Sequence, residues 1–248
     1  MCECLKTDRR IRIVSGAYGV GKTEFAVNYA LKLAAGGQRT MLVDLDIVNP
    51  YFTSRGIRDF LAERGVTVLG PAPEHTLVDV PALPAEIFSI FHHPEAEVVI
   101  DLGGDAPGSR VLGYFYPHLQ KSGYDLFYLV NLNRPYTADL AGALEYYETC
   151  ERSTRLKITK LVNSTHLLFD TSPEDILAGH HVCRRITACK QVELAYNVVW
   201  REMPGLDSLP ELEGDLFGID MTLRPWSLDV RESKSNNQGS TNGKGNFC

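Results

Sequence analysis

Short apolar runs alternate with helical periodicities along most of the 248 residues. Residues 11–14 (IRIV), 40–46 (TMLVDLD), 97–102 (EVVIDL), 125–131 (DLFYLVN), 157–163 (KITKLVN) and 193–199 (ELAYNVV) are too uniformly hydrophobic for a sheet with one wet face. They predict at least six strands, each buried on both sides. Between them lie patterns with apolar residues three and four apart: 24–35, where Phe25, Ala26, Tyr29, Ala30 and Leu33 share a face, then 53–64, 109–121, 137–151 and 173–189. This alternation predicts an α/β fold, a mostly parallel β-sheet with helices on both faces. Several strands end on carboxylates or asparagines, and ligands of such sheets collect at the carboxyl ends of the strands. Residues 66–96, with five prolines between Pro71 and Pro94, read as an irregular crossover open to a partner. Residues 1–231 read as one domain, and 232–248, rich in Ser, Asn, Gly and Lys, as a disordered tail.

The link between the first strand and the first helix carries the chemistry. Gly16-Ala17-Tyr18-Gly19-Val20-Gly21-Lys22-Thr23 fits G-x-x-x-x-G-K-[ST], the phosphate-binding loop, in the strand–loop–helix context that loop requires. Glycines let backbone N–H groups wrap phosphates, Lys22 reaches β/γ oxygens, and the Thr23 hydroxyl ligates Mg2+. The expected cradle runs from Gly16 to Glu24. Carboxylates near a triphosphate repel it by about 4 kcal/mol per charge pair at 4 Å and an effective dielectric of 20, so strand-end acids here imply a metal ion or a water to orient. Asp101, after Val98-Val99-Ile100, is the expected Walker B carboxylate for Mg2+. Gly104, in the following Gly103-Gly104 pair, is expected to bring a backbone N–H to the γ-phosphate. Asp44 is expected to support the Mg2+ shell and Asp46, with Lys22, to serve catalysis by orienting the attacking water.

Composition narrows the classes. With 44% hydrophobic and 23% charged residues the chain can bury a full core near the upper size of one α/β domain. A net charge of -6 argues against a general nucleic-acid or acidic-membrane surface. Apolar runs such as 126–132 are too short for a membrane span, and the N-terminus lacks a signal-like apolar region, so a cytoplasmic protein is expected. Six cysteines in a chain of this length form no disulfide framework. His180-His181-x-Cys183 with Cys189 lacks the paired C-x-x-C of a zinc site, and Cys2 and Cys4 read as a frayed terminus.

Asp44-Leu45-Asp46-Ile47-Val48-Asn49-Pro50 after the second strand, with the phosphate loop on the first, resembles the MinD/ParA group of P-loop ATPases. The wider SIMIBI-type family includes CobQ, CobB and dethiobiotin synthetase, and the resemblance covers about residues 11–200. It implies a three-layer sandwich binding ATP or ADP with Mg2+, hydrolysis associated with Asp46, a D-x-G-type switch over 101–104, and adenine contact by a strand-end asparagine matching Asn163. Asn131 and Arg134 in VNLNRP also lie at a strand end and are expected to flank the base. The guanine-reading N-K-x-D is absent there, which favours ATP over GTP. One departure matters. The group's signature lysine, in K-G-G-x-G-K-[ST], reaches the partner subunit's nucleotide in a sandwich dimer. Here that position is Ala17, and Tyr18 replaces the first Gly of the pair. Either Arg55, Arg58 or Arg110 supplies the cation, or ATP is not hydrolysed through that dimer. Three functions follow. The favoured one is a slow, homodimeric Mg-ATPase whose nucleotide sets switch segments 46–58 and 101–113, and through them the affinity for a protein partner. The others are an ATP-dependent ligase or kinase of the dethiobiotin synthetase/CobB type and a non-hydrolysing nucleotide sensor. The acidic D-x-D offers no lysine to hold a carboxylate substrate, which counts against the ligase.

Overall fold

The computed structural model describes residues 5, 7–45, 57–70, 85–103 and 106–223, with backbone alone for 85–86 and 106–111. Among the described residues eight strands form one sheet: β1 (Ile11–Gly16), β2 (Thr40–Leu45), β3 (Val66–Leu69), β4 (Glu97–Leu102), β5 (Asp125–Val130), β6 (Lys160–Asn163), β7 (Glu193–Trp200) and β8 (Asp215–Ile219). Their spatial order is β3-β2-β4-β1-β5-β6-β7-β8, and every pairing is parallel. Among the described residues five α-helices accompany them: α1 (Lys22–Ala35), α2 (Arg58–Ala62), α3 (Ala106–Ser122), α4 (Leu140–Thr154) and α5 (Pro173–Lys190). The α/β fold with a parallel sheet is as the apolar runs predict.

Strand order explains the two layers of helix. From β1 the chain moves one way along the sheet to β2 and β3, and from β5 it moves the other way through β6 and β7. Right-handed crossovers running in opposite directions use opposite faces. Accordingly Val14, Leu42, Val99 and Phe127 share a core with Phe25, Ala26, Tyr29, Ala30 and Leu33 of α1. On the other face Ile13, Val43, Ile100 and Tyr128 pack with Phe115 of α3, Tyr147 of α4 and Ile186 of α5. The α1 layer contains an aromatic cluster, with Phe25 edge-on to Phe127 at 5.9 Å and Tyr29 stacked on Phe217 at 5.6 Å. Direction reverses at β1, so the carboxyl end of β1 is where a crevice is expected.

The structure revises several boundaries. The region read as irregular contains the edge strand β3 and a 3-10 helix, Ala85–Phe91, that buries Ile87 and Ile90. β8 is a second edge strand beyond the expected set. Residues 157–159 precede β6 rather than join it, because the Thr159 hydroxyl is bonded to Leu126 N and Asp125 Oδ1. α4 starts at Leu140 because Pro135–Thr137 makes a 3-10 turn and Asp139 accepts a hydrogen bond from Gly142 N as N-cap. α2 spans only Arg58–Ala62, and Gly65 follows at φ +81°. Residues 46–56, with the start of the expected helix 53–64 and most of the switch 46–58, residues 71–84 of the irregular crossover, Cys2, Cys4 and the tail 232–248 lie outside the described residues. Among the described residues no helix is long and apolar enough to cross a membrane.

Candidate functional site

The loop leaving β1 is built from its glycines. Gly16 sits at φ +149°, and a Cβ there would come 2.8 Å from the Leu129 carbonyl oxygen of the neighbouring strand. Gly21, at φ +95°, is the N-cap of α1 and has no side chain to satisfy the helix's first N–H groups. Those donors and the positive end of the helix dipole are therefore left to whatever occupies the loop mouth. Side chains from three directions grip the loop's carbonyls. Buried Lys22 donates from Nζ to Ala17 O at 2.9 Å. Ser164, following β6, donates to Val20 O at 2.9 Å, and Arg134, following β5, donates from Nε to Gly19 O at 2.7 Å. Ala17 is buried, whereas the Tyr18 ring at the loop tip is 64% exposed.

Asp44 and Asp101 are register partners on β2 and β4. They alternate with Leu42 and Val99, so they face α1, the helix that carries Thr23 in its first turn. Both are buried, and Asp101 is level with Val14, two residues before the loop begins at Gly16. Two carboxylates on neighbouring strands about 4.8 Å apart repel by roughly 3 kcal/mol at an effective dielectric of 20. A divalent cation beside them reverses that sign, so the donor set fits Mg2+. Asp46, Gly104 and Arg55 lie outside the described residues, as does the side chain of Arg110. Arg58 is brought to this end of β2: its Nη2 lies 3.6 Å, and the Asp44 Cβ 3.2 Å, from the point a Gly70 Cβ would occupy.

Between the loop and the β6–β8 side of the sheet lies a cavity of ≈ 160 Å³, about ten times what a single water needs. Its polar end is Gly19, Gly21, Lys22, Thr23 and Arg134; its apolar end is Leu168, Val198, Ile219, Met221 and Leu223. Ser164 and His166 also line it and stand against Gly21, where a Cβ would come 3.2 Å from Ser164 Oγ and 3.0 Å from His166 Nε2. His166 Nδ1 accepts from Leu168 N at 3.3 Å, which assigns the ring proton to Nε2. Leu168 itself has φ +58°, a conformation strained for a branched side chain.

The strand-end asparagines are used differently from the sequence expectation. Asn163 is fully buried; Nδ2 donates to Ile176 O (2.9 Å) and Asn197 Oδ1 (3.1 Å), and Oδ1 accepts from Thr165 N (3.2 Å). Both amide hydrogens expected at a base are thus spent joining β6 to α5 and β7. Asn131 is also fully buried, its Oδ1 taking the Asn133 N–H at 2.9 Å. Glu24 lines the cavity, but its carboxylate is engaged by Thr222 N (2.6 Å) and Leu223 N (3.3 Å). Burial raises its pKa despite those N–H bonds. Sequence reasoning missed Ser164, His166, Leu168, Ile219 and Met221, which come together only through the strand order. Burial pushes the Cys183 thiol up to about 12, and His180 Nδ1 is bonded to Asn197 Oδ1. Among the described residues no cluster of three or more His, Cys, Asp or Glu could hold a metal ion.

By sequence the chain matches no family model and no curated protein. By structure it is similar to FtsY from Mycoplasma mycoides, with a TM-score of 0.54 at 11% identity over 76% of this chain and 59% of that one. Chloroplast FtsY from Physcomitrella patens gives 0.53 at 14% identity over 77% and 58%. The signal recognition particle receptor FtsY from Elizabethkingia anophelis gives 0.50 at 19% identity over 82% and 60%. The chain spans about three fifths of the length of these structures. The likeness is one of fold, a parallel α/β sheet covered by helices; in this chain the glycine loop leaves the carboxyl end of β1.

Proposed function

We propose that the chain binds a nucleoside triphosphate with Mg2+ at the 16–23 loop and acts as a slow ATPase whose nucleotide state is read by a protein partner. One observation carries this reading: the uncapped start of α1, with Lys22 and Thr23, faces the same layer as the in-register pair Asp44 and Asp101. The loop N–H groups take the phosphates, and Lys22 exchanges its bond to Ala17 O for β/γ oxygens. Thr23, Asp44 and Asp101 hold the metal, which when bound offsets phosphate charge. Asp46 orients water and Gly104 meets the γ-phosphate, following the MinD/ParA resemblance. Ser164, His166 and the apolar end of the cavity receive the base in place of Asn163 and Asn131. Adenine is favoured by the missing N-K-x-D. Buried Ala17 offers no cation at the signature-lysine position, which supports slow turnover or none.

Calorimetry on the full chain with Mg-ATP and Mg-GTP tests the reading. Mg-ATP binds, and Lys22→Ala weakens it at least about tenfold, the worth of one charge-assisted hydrogen bond to phosphate. Unchanged binding in that variant sinks the proposal. Turnover per subunit that rises with protein concentration supports a homodimeric ATPase, and no turnover supports the sensor.

A further inference from the structure

Arg134 holds a position at the loop that its place in the sequence does not suggest. Its side chain lies along Gly19, so close that a Cβ there would come 3.3 Å from Nε and 3.9 Å from Cζ. The bond from Nε to Gly19 O uses one edge of the guanidinium. The other edge, Nη1 and Nη2, carries four N–H donors in one plane. Among the described residues neither nitrogen has a protein acceptor, and no carboxylate pairs with Arg134. The same cavity is lined by Lys22, Thr23 and Gly21. A guanidinium beside an ammonium and the positive end of a helix is unfavourable until an anion enters, and its planar fork matches two oxygens of a phosphate. The Nε anchor fixes the side chain before a ligand arrives, so less rotamer freedom is lost on binding.

We propose that Arg134 is a phosphate-chain ligand of this site: held on Gly19 by Nε, it gives Nη1 and Nη2 to phosphoryl oxygens as the second side-chain cation beside Lys22. This rests on the nucleotide reading above and moves Arg134 from the base to the phosphates.

Calorimetry on the full chain with Mg-ATP, with inorganic tripolyphosphate as a base-free competitor, tests it on Arg134→Gln, Arg134→Lys and Lys22→Ala. Arg134→Gln weakens Mg-ATP and tripolyphosphate alike, ten- to hundredfold, and flattens the salt dependence of binding; Arg134→Lys recovers part of both. A loss confined to Mg-ATP places Arg134 at the base and overturns the inference. Equal losses in the Gln and Lys variants, with unchanged salt dependence, mean that Arg134 only props the loop, and also overturn it. If Lys22→Ala binds like wild type, the functional reading itself falls. If Lys22→Ala loses binding while Arg134→Gln does not, only the role of Arg134 falls.

Discussion

Glu24 follows Thr23 in the first turn of α1, where a carboxylate ordinarily gains from the helix dipole. Here it is tied to the chain beyond β8 through Thr222 N and Leu223 N, and to Asn28 Nδ2 at 3.3 Å. Burial outweighs these bonds and raises its pKa above the ordinary value of 4.5. A carboxyl group with a raised folded-state pKa binds more protons in the native state than in the unfolded one. Its contribution to stability is then complete below about 4.5 and is lost as pH rises through the folded value. Glu24→Gln cannot titrate. The difference in melting temperature, variant minus wild type, is therefore expected to grow from pH 4 to pH 7. Thermal melts across that range check it, and a flat difference removes Glu24 as the source.

Gly179 shows how packing between elements shapes the site. A glycine inside α5 costs about 1 kcal/mol relative to alanine. It is there because a Cβ would come 2.2 Å from both Asn163 Oδ1 and Thr165 Oγ1. The strand end of β6 is thus pressed into α5, which sets the path of Ser164 and His166 toward the loop. Gly179→Ala is expected to lower stability by about 1–3 kcal/mol, the range of overpacked cores, and to weaken Mg-ATP binding by displacing Ser164 and His166. Denaturant unfolding together with calorimetry reads both effects; a normal affinity in the destabilised variant separates α5 packing from the site. The same contact explains what was legible in the sequence. The phosphate loop was readable because its backbone demands glycine at fixed positions before Lys-Thr, and β1, β2, β4 and β5 because burial on both faces needs unbroken apolar runs. β3 and β8 pair on one side only and keep exposed positions, so their patterns are weaker. A strand-end asparagine looks the same whether it faces a ligand or a helix, and only Gly179, sixteen residues later, marks Asn163 as facing inward. The apolar end of the cavity was unreadable because Val198 and Ile219 become neighbours through the β7–β8 pairing.

Across the whole molecule, charge is organised at two opposite ends of the strands. The carboxyl ends carry the loop, Lys22, Arg134 and the in-register acids. At the amino ends, buried Asp8 accepts hydrogen bonds from Tyr29 OH of α1, Tyr196 OH of β7 and Lys160 Nζ of β6. Arg12 of β1 joins the group through Tyr29 OH at 3.1 Å, the Leu5 and Asp8 carbonyls, and Glu97 of β4. Burial raises the pKa values of both tyrosines, so their hydroxyls remain donors. One carboxylate thereby fastens the segment before β1 to three elements, α1, β6 and β7. Removing one partner of a buried charged network leaves the others uncompensated, at a cost of about 3–5 kcal/mol. Asp8→Ala removes the carboxylate acceptor of two hydroxyls and, among the described residues, leaves Lys160 paired with Glu193 at 3.6 Å. The network and the loop lie at opposite ends of the strands, so the variant is expected to lose stability by about that amount while its folded fraction binds Mg-ATP like wild type. Chemical denaturation gives the first quantity, and calorimetry well below the melting temperature gives the second. An affinity that falls together with stability means the two ends of the sheet are coupled, and a melting temperature equal to wild type means Asp8 does not fasten the fold.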